Sequence, residues 1–144
     1  MDGEIPTHSI DTITSLDIMD KNISDLSGIE DFINLNYLWC DLNNLVTLDL
    51  SNNPNLFEVN CSNNQLISLS VKNGNPTGIW YFMAINNPNL LCVEVDNVAY
   101  ANYNWLIDNT AVFSTNCNTT SISELNVNRK LIKIVDFSAR ELVN

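Results

Sequence analysis

The sequence predicts a mainly β solenoid. Each coil of about 21 residues should hold two short parallel strands, and short helical caps should close the ends. Three observations predict it. The pattern L-x-x-L-x-L-x-x-N recurs in phase along the middle of the chain. Its strand signals return every ten or eleven residues, which leaves no room for a helix between them. An Asn follows most of them at the point where a coil must bend.

Taken in order, Leu16 and Ile18 fit a first strand, with Lys21 where Asn is expected. Leu35, Leu38, Cys40 and Asn43 make the next register, followed by Leu45, Leu48, Leu50 and Asn53. Then come Leu56, Val59, Cys61 and Asn64, and Leu66, Leu69 and Val71 with Gly74 in the Asn place. After a short insertion the pattern closes on Ile79, Phe82, Ala84 and Asn87. Period-two alternation marks strands with one buried face. Two inward columns follow: Ile18, Cys40, Cys61 and Ala84 on one side, and Leu50, Val71 and Val95 on the other. A carboxamide both donates and accepts, so Asn43, Asn53, Asn64 and Asn87 read as structural residues that satisfy backbone groups at the bends. Cys40 and Cys61 read as core thiols. No His or further Cys joins them, so no metal site is expected.

The stretch LxxLxCxxNxLxxLDLSxNP resembles bacterial leucine-rich repeats, specifically the nested ten- and eleven-residue variety called the IRREKO type. The resemblance covers residues 10–118. It implies an N-terminal cap over about 10–35, where Ile23, Leu26, Ile29, Phe32 and Leu35 have the spacing of helical or 3-10 turns broken at Gly28. It implies a C-terminal cap over about 90–118, with a short helix around 98–108 and bulk from Val98, Tyr100, Trp105 and Phe113. In such caps two flanking cysteines frame the lid, so the resemblance implies a Cys92–Cys117 disulfide; two buried free thiols are the alternative. The tail, 119–144, changes character. It holds Arg129, Lys130, Lys133 and Arg140, four of the six Lys+Arg. Its stretch NRKLIKIVDFSARE resembles the opening of the C-terminal sorting domain of the type IX secretion pathway, without the hairpin that follows there. A last strand docked on the solenoid is the other reading.

At 144 residues the chain is long enough for one domain with a core, and 45% hydrophobic content sets it apart from disordered acidic tails. The formal charge of −11 argues against nucleic acid and anionic membrane as partners. It leaves proteins, glycans or a cation. No run of eighteen apolar residues exists to span a membrane. MDGEIPTHSI has neither a basic nor an apolar leader region. That leaves a cytosolic protein or one whose leader is absent from this sequence; the resemblance implies a secreted or cell-surface protein. DGEI, Asp2–Ile5 within the segment 1–9, looks like half of a calcium loop, but Ser9 stands where the closing Glu belongs. His8 is the one His, no Ser/His/Asp set can be assembled, and the four Gly form no phosphate loop. The expectation is a non-enzymatic protein without cofactor.

The two outward faces differ. One should present Thr47, Asp49, Ser51, Ser68, Ser70 and Lys72. The other, with Asp17 and Met19 at its start, should present Tyr37, Trp39 and Asp41, then Glu58, Asn60 and Ser62, then Tyr81, Met83 and Ile85. Exposed aromatics mark recognition surfaces, so this second face is the expected ligand site. The expected role is recognition of a protein partner, including adhesion, by a monomer. A glycan stacked on Trp39 and Tyr81, a spacer for another domain, and aromatics covered by the tail or a dimer partner are the alternatives.

Overall fold

The computed structural model describes residues 10–118. The segment 1–9 with its half calcium loop, and the tail 119–144 with its sorting-domain resemblance, lie outside the described residues. Among the described residues, nine strands form two parallel sheets. The first holds β1 (Ser15–Asp17), β2 (Tyr37–Trp39), β4 (Glu58–Asn60), β6 (Tyr81–Ala84) and β8 (Leu106–Ile107), in that order. The second holds β3 (Thr47–Asp49), β5 (Ser68–Ser70), β7 (Cys92–Glu94) and β9 (Val112–Ser114). Ser15 pairs with Tyr37, Tyr37 with Glu58 and Glu58 with Tyr81, so successive coils are 22, 21 and 23 residues long. The fold is the leucine-rich-repeat solenoid that the phasing predicts.

Three-residue strands suffice because β2, β3, β4 and β5 each bury only the central side chain. Leu38, Val59 and Phe82 point inward from the first sheet and meet Leu48, Leu69 and Val93 from the second, all buried. Leu35, Leu45, Leu56, Leu66, Ile79 and Leu90 seal the bends. Cys40, Cys61 and Ala84 stack inside one edge, and Leu50, Val71 and Val95 inside the other. Each coil buries its apolar residues chiefly against its neighbours, so contacts run from coil to coil.

The buried Asn residues tie coils together. Asn64 donates to Cys40 O of the preceding coil at 3.0 Å and to Cys61 O of its own at 3.2 Å, and its Oδ1 accepts the Leu45 N–H at 2.9 Å. Asn87 repeats this on Cys61 O, Ala84 O and the Leu66 N–H. Asn43 donates to Ile18 O and Cys40 O and accepts from Lys21 and Ile23 N–H. Asn53 donates to Ile29 O and Phe32 O. The fifth bend differs from the register reading. Gly74 does not do the Asn job; it turns the chain at φ 80°. Buried Asn73, one residue earlier, donates to Asn53 O at 3.0 Å.

At the N-terminal end a 3-10 turn, Ile29–Asp31, follows Gly28 in the left-handed region and buries Ile29. At the other end helix α1 (Val98–Asn104) starts at Asn97, whose side chain accepts the Tyr100 N–H at 3.0 Å. Trp105 follows it, stacks on Phe82 at 4.7 Å and donates Nε1–H to Ile79 O at 2.9 Å. Cys92 and Cys117 form a disulfide, their Cα atoms 5.8 Å apart, across the edge of this lid. No helix among the described residues is long and apolar enough to cross a membrane.

Candidate ligand-binding face

The outward side of the first sheet is built by register. Ser15, Tyr37, Glu58 and Tyr81 form one row, and Asp17, Trp39, Asn60, Met83 and Leu106 the next. Strands lie about 4.8 Å apart, so side chains of one row touch along the solenoid axis. One slot ahead of the strands stand Phe57 and Trp80, which alternation within L-x-L does not reveal. They complete a band of aromatics. Tyr37 meets Phe57 at 6.1 Å, Phe57 meets Trp80 at 5.5 Å, and Trp80 meets Tyr81 at 6.3 Å. The rings are tilted at 76°, 43° and 54° to one another. Trp39, Trp80 and Leu106 are 44%, 53% and 57% exposed. Tyr37, Phe57 and Tyr81 are exposed as well. The Tyr81 hydroxyl donates to Met83 Sδ at 2.7 Å.

Two expected members do not reach the face. Asp41 and Ser62 are buried, and Ile85 is half-buried. The reason is local. Each coil leaves this sheet through a left-handed residue: Asp20, Leu42, Asn63 and Asn86, with φ from 54° to 58°. That bend folds the preceding residue under the edge, where its carbonyl accepts a bond. Asp41 O takes the Asp20 N–H, and Ser62 O takes the Leu42 N–H. Glu58, Asn60 and Met83 remain on the face, partly covered by their neighbours. Asn60 and Asp17 also cap their own turns, accepting the Ser62 and Met19 N–H groups.

The opposite sheet carries Thr47, Asp49, Ser68 and Ser70 outward; beside it Lys72 Nζ lies 3.6 Å from Glu94, and Asp49 accepts the Ser51 N–H. The inner thiols belong to the core. Cys40 and Cys61 direct Sγ at Asn60 O and Met83 O of the next coil. Burial, helped by the charge of Asp41, pushes the Cys40 thiol up to about 12. Burial also pushes Cys61 up, with Cys40 as the next cause. Such thiols are poor nucleophiles and poor metal ligands. Among the described residues no group of three or more His, Cys, Asp or Glu is placed to hold a metal ion.

The phased repeat, the two parallel sheets and the buried Asn define a leucine-rich-repeat solenoid. The chain is 45% identical over 49 residues to Internalin J of Listeria monocytogenes serotype 4b (strain F2365), a match over 34% of this chain and 5% of that protein. It is also similar to the solved functional domain of InlJ from Listeria monocytogenes, described as including a cysteine ladder. There the TM-score is 0.54 with 30% identity, over 78% of this chain and 22% of that one. The chain thus spans a small part of each relative. No family model matches it. The column of Cys40 over Cys61 is two rungs long here and ends at Ala84.

Proposed function

We propose that this protein is a secreted or cell-surface recognition module that binds a protein partner through the outward face of the five-stranded sheet, without chemistry. One observation carries the reading: Tyr37, Phe57, Trp80 and Tyr81 run as a continuous exposed band across three successive coils. Rigid aromatics give large contact area at small entropic cost. The likeness to Internalin J supports a surface role for this repeat architecture. The Cys92–Cys117 disulfide supports an oxidising compartment. The tilt of the rings favours a protein over a glycan, since sugars stack best on rings that share a plane.

The test is capture from surface extracts by three immobilised proteins: wild type, Phe57→Ala/Trp80→Ala, and Ser51→Ala/Ser70→Ala on the opposite sheet. The expected result is one captured protein that only the aromatic variant loses. Equal capture by all three would move the site elsewhere, and no capture by any would refute the reading.

A further inference from the structure

We infer that the N-terminal end of this face is a socket for an arginine side chain of the partner; the inference rests on the recognition reading above. A groove of about 520 Å³ is lined by Thr14, Ser15, Asp17, Tyr37, Trp39 and Glu58. The registers place its parts. Tyr37 and Trp39 stand side by side on β2 as the floor. Asp17 on β1 pairs with Trp39, and Glu58 on β4 pairs with Tyr37, so a carboxylate flanks the aromatic pair on each side. The edge of Phe57 holds the Tyr37 ring in place.

Among the described residues these carboxylates have no counter-charge. One oxygen of Asp17 accepts the Met19 N–H, and Glu58 has no hydrogen-bond or ion-pair partner among the described residues. The ion pair found among those residues, Lys72–Glu94, is on the other sheet. No outward position of the five-stranded sheet is Lys or Arg.

Aromatic faces flanked by carboxylates select cations, because ring quadrupole and charge attract the same group. The same arrangement repels an anion. A bare metal ion would find only two carboxylates, one on each side of the aromatic pair, and among the described residues no third His, Cys, Asp or Glu is placed to join them. A guanidinium fits better than an ammonium: it is planar, stacks on Tyr or Trp, and still directs N–H groups sideways at acceptors. Arg is also enriched among the residues that dominate protein interfaces.

The experiment titrates the full chain, ¹⁵N-labelled, with capped Gly-Arg-Gly, Gly-Lys-Gly and Gly-citrulline-Gly peptides. The readout is the Trp39 indole N–H resonance, assigned with Trp39→Phe. The Arg peptide should shift it, the Lys peptide less, and the uncharged citrulline peptide hardly at all. Asp17→Asn/Glu58→Gln should weaken Arg binding about tenfold, and Trp80→Ala, outside the groove, should leave Trp39 responsive. Equal shifts from Arg and citrulline peptides, or an equal shift from a neutral tetrasaccharide, would overturn the socket. Tighter Arg-peptide binding by Arg129→Gln/Lys130→Gln would show that the chain's own basic tail fills the groove, and would overturn it too. If a partner is captured through Phe57 and Trp80 while the Arg peptide leaves Trp39 unmoved, the socket fails and the recognition face stands. If neither binds, both fail.

Discussion

Asn53 and Asn64 occupy the same place in successive half-coils, and both are buried. Their replacement by Ala should nonetheless differ in cost. In Asn64→Ala the acceptors keep other donors: Cys40 O retains Asn43 Nδ2, Cys61 O retains Asn87 Nδ2, and Ser62 O retains the Leu42 N–H. The Leu45 N–H is different, because Asn64 Oδ1 is its acceptor at 2.9 Å. It would be left buried and unsatisfied, which costs about 1–3 kcal/mol. Asn53→Ala strands nothing. Ile29 O and Phe32 O still accept the Phe32 and Leu35 N–H groups, and Asn53 Oδ1 has no hydrogen-bond partner to lose. Both variants remove the same atoms, so the packing loss is similar. The expected costs are about 3 kcal/mol for Asn64→Ala and about 1 kcal/mol for Asn53→Ala. Urea unfolding followed by Trp fluorescence, compared at a common slope, measures both. Equal costs, or a larger one at Asn53, would refute the assignment of the stability to the stranded N–H.

The Cys92–Cys117 bridge closes a separation of 25 residues, so Cys92→Ala/Cys117→Ala should lower stability by about 3 kcal/mol in the same titration. Cys40 and Cys61 should stay silent to a disulfide reagent at pH 8 in the folded protein, and both should react in denaturant. Their pH effect has a definite sign: above about pH 8.5 the unfolded thiols ionise, while folded Cys40 keeps its proton up to about 12. The unfolded state then binds fewer protons, so stability should fall as pH rises through that window, less steeply in Cys40→Ala. Leu42 holds a left-handed backbone at φ 57° and is exposed, where the next coils use Asn63 and Asn86. Leu42→Asn should therefore stabilise by about 0.5–1 kcal/mol, seen as a higher urea midpoint.

The solenoid was legible because its signals are local and repeated. Leu38 and Val59 report one inward slot, and Cys40 and Cys61 another, so one ambiguous residue is corrected by its neighbour a coil away. The face was legible only where the strand geometry held. Carrying period two past the strand ends at Trp39 and Asn60 puts Asp41 and Ser62 outward, but two residues on the chain already enters the left-handed bend at Leu42 and Asn63, which reverses the side. Phe57 and Trp80 were missed for the converse reason. They sit one residue ahead of the strands, in positions that alternation leaves to the turn. Reading that slot across coils, Asn36, Phe57, Trp80, would have exposed the column. Gly74 takes the Asn place only by counting three residues past Val71 as in the other coils, whereas Asn73, two past it, is the one that swings inward.

Trp105 and Trp80 show what this fold does with the same side chain when packing is the purpose and when it is not. Trp105 stacks on Phe82, meets Phe113 edge-on at 5.8 Å and satisfies its indole N–H on Ile79 O. Trp80 is 53% exposed, and no described group accepts its indole N–H. The core and the Asn ladder make no demand on the outward slots. In the second sheet, β3 and β5 fill the outward strand slots with Thr, Asp and Ser, the slot ahead of the strands holds exposed Val46, Ile67 and Leu91 rather than aromatics, and the backbone pairs just as regularly. Aromatics concentrated on one of two equivalent sheets therefore have no folding explanation, while they carry the solubility cost of exposed apolar surface. A partner that covers them removes that cost and supplies the contact they lack within the chain.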